Sequence, residues 1–169
     1  MSPLERAVKI IKKGPLSTET LQRVERYIIR SREVGLGINV LIEGKTILDY
    51  LLEILLDNQN KKLTGLIGKV VRLGAKAKDP LAMGHASRGG LEIVKLVYST
   101  GASIRSNSAS WAVLQAAVKI GNLKTLKWSL ENGDWRGYPD RKGRQALIEE
   151  TQNSAIRKFL EEYFNDSPR

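Results

Sequence analysis

Apolar residues recur along the chain at intervals of three and four, in runs broken by Gly, Pro, Ser and Asn. Leu4, Ala7, Val8 and Ile11 form the first run, which ends at Gly14-Pro15. This spacing puts them on one side of a helix over 4–13. Ser17 then stands as an N-cap, with Glu19 in the first turn, and Leu21, Val24, Tyr27 and Ile28 carry a second helix to about Glu33. Gly35 to Gly44 reads as a hairpin-like finger, although Val40-Leu41-Ile42 is apolar enough to pack on a neighbour or to form a brief strand. Thr46 opens a Leu-rich helix through Leu56, followed by the polar loop Asp57–Lys62 and a helix over 63–73. Asp79-Pro80 marks the next start, with Pro in the first turn. Ala82, Met83 and Ala86 supply small or adaptable apolar positions, and Leu91, Ile93, Val94, Leu96 and Val97 make the clearest stripe in the chain. A Ser/Asn-rich linker over 102–110 precedes helices over 111–120 and 123–130. A finger over 135–143 leads to a last pair beginning near Ala146, with Ile156, Phe159, Leu160 and Tyr163 on its second helix and a frayed tail over 165–169.

The stripe recurs. Gly89-Gly90-Leu91 is matched by Gly121-Asn122-Leu123, Val94 by Leu126, Leu96 by Trp128 and Gly101 by Gly133, each 32 residues later. A period in that range marks stacked repeats.

The residues Gly89-Gly90-Leu91-Glu92-Ile93-Val94-Lys95-Leu96-Val97, with Ser99-Thr100-Gly101-Ala102 after them, resemble the second helix and closing turn of an ankyrin repeat. Gly121-Asn122-Leu123 and Glu131-Asn132-Gly133-Asp134 repeat the likeness. Gly44-Lys45-Thr46-Ile47-Leu48-Asp49 resembles the family's G-x-T-P-L-H opening of a first helix, with Ile47 in place of Pro and Asp49 in place of His. The resemblance implies an all-α fold: a short right-handed solenoid of about five stacked helix-turn-helix units, near 1–39, 40–78, 79–107, 108–140 and 141–164. It also implies a non-catalytic module that binds another protein on a concave side built from finger tips and first helices. Members of the family act as cellular adaptors and as host-directed inhibitors of viruses and intracellular bacteria, so a modulator of a host protein is one form this function would take.

Composition narrows the chemistry. The chain of 169 residues has no Cys, which removes disulfides, thiolate metal sites and cysteine nucleophiles. His85 is its single histidine, and no metal-ligand spacing surrounds it. The adjacent acids Glu149-Glu150 and Glu161-Glu162 point in different directions on a helix. No Ser sits in a nucleophile elbow, and no phosphate-binding Gly signature is present. The expectation is no enzyme, no cofactor and no metal. No apolar run approaches the ~18 residues of a membrane span. With no signal-peptide pattern at Met1, the expected location is the cytoplasm, or a host cytosol or nucleus after export without a cleaved signal.

Charge adds a second class of partner. The net charge is +10, and residues 1–78 carry 15 Lys/Arg against 8 Asp/Glu. A basic half of this kind suits an acidic protein or nucleic acid, the latter through the cations of residues 1–32 with Lys61, Lys62, Lys69, Arg72, Lys76 and Lys78. For a protein partner the candidate contacts are Arg105, Asn107, Trp111, Trp135, Arg136, Tyr138 and Arg141, since aromatic and Arg side chains dominate binding hot spots. Trp128, aligned with Leu96, is expected in the core. Trp135 either grips a partner or covers the end of the last repeat.

Overall fold

The computed structural model describes residues 1–14, 16–56, 61–104, 107–133 and 140–166. Within them lie ten α-helices: α1 (Pro3–Lys12), α2 (Thr18–Glu33), α3 (Ile47–Glu53), α4 (Lys61–Arg72), α5 (Ala82–Ser87), α6 (Leu91–Ser99), α7 (Asn107–Ile120), α8 (Leu123–Asn132), α9 (Arg141–Glu150) and α10 (Ser154–Asp166). Three residues of 3-10 helix, Ile54–Leu56, extend α3. None of the described helices is long and apolar enough to cross a membrane.

Local chemistry sets most of the starts. Ser2 caps α1 in a reciprocal box with Glu5, Ser17 caps α2 through the Thr20 amide, and Thr46 and Asp49 form the box of α3. Several expected boundaries move. Helix α5 begins at Ala82, and Asp79-Pro80 belongs to the turn before it. Helix α7 begins at Asn107, inside the expected linker, and α9 begins at Arg141, inside the expected finger. Asp140 accounts for the latter start, accepting from the Gly143 amide at 2.8 Å. The expected brief strand near Val40 reduces to one bridge between Ile42 and Lys45, closed by Glu43 and Gly44 at φ 51° and 80°.

The helices pack as five pairs, α1 with α2 through to α9 with α10. Contacts between pairs follow two rows. First helices touch first helices, α1 to α3 to α5 to α7 to α9, and second helices touch second helices, α2 to α4 to α6 to α8. Each pair thereby buries the apolar side of its neighbour. One buried cluster runs from Leu4 to Val113 and another from Leu114 to Leu160, so α7 is the wall they share. Residues 32 apart meet at two of these joints. A Cβ at Gly90 would lie 3.6 Å from the Asn122 side chain, and one at Gly121 would lie 3.5 Å from that of Asn153.

The loops are tied to one another by side chains. Asn39 donates to the Gly74 carbonyl at 3.0 Å and accepts from the Lys76 amide at 2.6 Å. The buried Asp49 carboxylate accepts from the amides of Thr46 (2.9 Å), Lys78 (2.9 Å) and Asp79 (3.1 Å). Through it, the start of α3 holds the loop that leads into α5.

Candidate functional site

Of the seven residues the sequence proposes as contacts, Arg105, Trp135, Arg136 and Tyr138 lie outside the described residues. Asn107 is the first residue of α7 rather than part of a linker. Trp111, one turn into α7, is half-buried against the second apolar cluster. Arg141 opens α9 and is exposed. Trp111 and Arg141 therefore stand on different helices, one against the core and one in solvent. Trp128 packs on the first cluster as expected for a core residue, its ring edge-on to Tyr98 with centroids 5.4 Å apart.

A groove of about 290 Å³ lies instead on the first-helix side, between α5 and α7. Leu81, Gly84, His85 and Arg88 line one wall, and Ala112, Gln115, Ala116, Lys119 and Ile120 the other, with Glu150 of α9 at the rim. Both sets follow the i, i+3, i+4, i+7 rule for one helical face. The groove is made by small residues. A Cβ on Gly84 would sit 2.7 Å from that of Ala112, so these helices approach as closely as their backbones allow. Leu81 and Ile120 remain 47% and 37% exposed, leaving branched apolar side chains in water beside the groove. The small residues at 84, 112 and 116 were the available sequence signal. Nothing in the sequence said that the faces carrying them would meet.

The same wall carries a charged cluster. Lys45 bonds to Glu53, and its Nζ is 3.6 Å from Asp79. One ligand-type atom from each of Glu53, Asp79 and His85 lies within 4.8 Å of the others, a set that oxygen- and nitrogen-seeking divalent cations can use. Here the Lys45 ammonium occupies the cationic role between the carboxylates, and a metal would have to displace it. Burial pushes the His85 pKa down, against the pull of Asp79, which favours a neutral imidazole at neutral pH. The Arg88 Nη1 atom is buried without a hydrogen-bond partner among the described residues. No spacing motif foretold this cluster, because its members come from a hairpin turn, the end of α3, a loop and α5. Its chemistry is that of an ion-paired hinge between the second and third helix pairs, with an aliphatic groove beside it.

No protein-family model, no curated protein and no solved structure matches the chain.

Proposed function

We propose that this chain is a non-catalytic binding module, a short solenoid of ankyrin-like helix pairs that holds a partner protein along its first-helix side and inter-pair loops. The observation that supports the reading most is the two-row packing, with first helices on first helices and second on second. Such stacking buries the apolar faces between pairs and leaves side chains on the row surfaces free to fit a partner. The groove between α5 and α7 is the described part of that surface best suited to a protein. It offers exposed Leu81 and Ile120 around a floor of Gly and Ala, with His85, Lys119 and Glu150 for polar contacts. A partner would seat one apolar side chain there and cover a standard area of ~800 Å² by extending over neighbouring loops. The segment that carries Trp135 and Arg136 in the sequence is the second proposed contact. A partner in a host cell, bound by a chain of viral or bacterial origin, fits this reading as well as a cellular adaptor does.

The test uses two variants in an affinity capture read by mass spectrometry. Leu81→Asp with Ile120→Asp should abolish capture of a specific protein while the helical circular dichroism stays intact. Trp135→Ala with Arg136→Ala should weaken it. Capture unchanged in both variants would contradict the proposal.

A further inference from the structure

A second groove, of about 450 Å³, lies between α1 and α2. Its lining includes Arg6 and Lys9 from α1, Lys13 capping its end, and Thr20, Arg23 and Tyr27 from α2. Both sets are spaced to lie on single helical faces, and the two faces are antiparallel across one groove. No carboxylate is among the described residues that line it. The side chains of Arg6, Lys9, Lys13 and Arg23 have no hydrogen-bond or ion-pair partner among the described residues. The neighbouring cation behaves otherwise. Lys12 pairs with Glu43 and lies over the Tyr50 ring. Four like charges in one groove repel one another; Glu5 and Glu43 line the adjoining groove together with Lys9 and Lys13, but no described carboxylate enters this one to offset them there.

An anion of matching shape would. The half-buried Tyr27 and Ile10, with exposed Met1, place an aromatic and apolar surface among the cations. Cations that follow a backbone, interleaved with an aromatic face for stacking, are the combination that holds single-stranded nucleic acid. Arg30, one helical repeat beyond Arg23 on the same face of α2, extends the track. We propose that the α1–α2 groove binds a single-stranded nucleic acid, with phosphates on Arg6, Lys9, Lys13 and Arg23 and a base stacked on Tyr27. The groove is separate from that between α5 and α7, and the test needs no protein partner.

The test is fluorescence anisotropy with a labelled single-stranded 12-mer, titrated with the whole protein at several salt concentrations. Four phosphate contacts predict a log–log salt slope of about −2.8, which is roughly a fifty-fold loss of affinity between 50 and 200 mM salt. Lys9→Glu with Arg23→Glu changes two exposed residues and should leave the helical signal intact. It should make the slope shallower by about 1.4 or more and weaken binding at least tenfold at low salt. Tyr27→Ala should weaken binding about tenfold with the slope unchanged, and Tyr27→Phe should restore it. Lys124→Glu, on exposed α8, should change the affinity less than twofold. No binding at low salt, undiminished binding by the Lys9/Arg23 variant, or equal affinity for a duplex or for polyglutamate of similar length would each overturn the proposal.

Discussion

Asp49 holds more of this fold than any other single polar residue described. Its carboxylate closes the capping box of α3 and receives the amides of Lys78 and Asp79, some thirty residues downstream. Asp49→Ala would leave those amides without an acceptor in a part-buried setting. The expected cost is about 3 kcal/mol, combining a lost cap with orphaned donors, read as a lower urea midpoint at unchanged slope. Asp49→Asn keeps one acceptor oxygen and should recover part of the loss. His85 gives the fold a pH dependence of known sign. Its folded-state pKa lies below the ordinary value because burial disfavours the charged ring. The unfolded chain therefore binds the proton first as pH falls. Stability from this source is present above about pH 6.5 and is lost as pH drops through that value toward the lower folded one. His85→Gln should flatten that part of the stability profile. These roles were partly legible. The Thr46–Asp49 spacing announces a helix start. Its reach to Lys78 and Asp79 depends on where the next loop passes, which no local pattern encodes.

At the scale of elements, the helical stripes could be read from spacing alone, and α1, α2, α6 and α8 lie close to where apolar periodicity puts them. The misplaced starts have a common cause. Asn107–Ser110 and Arg141–Ala146 are polar or small residues at the front of helices, where amphipathic periodicity is weakest and the loop-like composition misleads. The candidate groove was hidden for another reason. Gly84 and Ala112 are unremarkable in sequence and become important only when α5 meets α7. Gly84→Ala forces its new methyl against Ala112 at a backbone-limited contact. It should destabilise the protein by about 1–3 kcal/mol, despite the higher helix propensity of Ala. Measured thermal unfolding of this variant should show a lower midpoint; an unchanged or higher one would mean that the helices stand farther apart.

At the scale of the molecule, packing is between neighbours, and the apolar core divides at α7 into two clusters. In proteins built of stacked repeats, the class proposed for this chain, stability is close to a sum over units and the interfaces between them. Ile156→Ala, a cavity in the second cluster, should therefore speed hydrogen exchange in α9 and α10 well before it does so in α3 and α4. Equal acceleration throughout would indicate one indivisible cooperative unit. Charge acts at this scale too, since the cations concentrate in the first two pairs while the stacking continues through all five.

The protein-binding proposal rests on successive pairs lying side by side in two rows. The most direct measurement is a three-dimensional NOESY spectrum of the isotopically labelled chain. The account predicts a strong cross-peak between the Gly84 Hα protons and the Ala112 methyl in the first-helix row. It also predicts cross-peaks between the Tyr98 ring and the Trp128 indole in the second-helix row, where the ring centroids are 5.4 Å apart. Assigned resonances with both sets of cross-peaks missing would show that the third and fourth pairs do not stack, and would contradict the account.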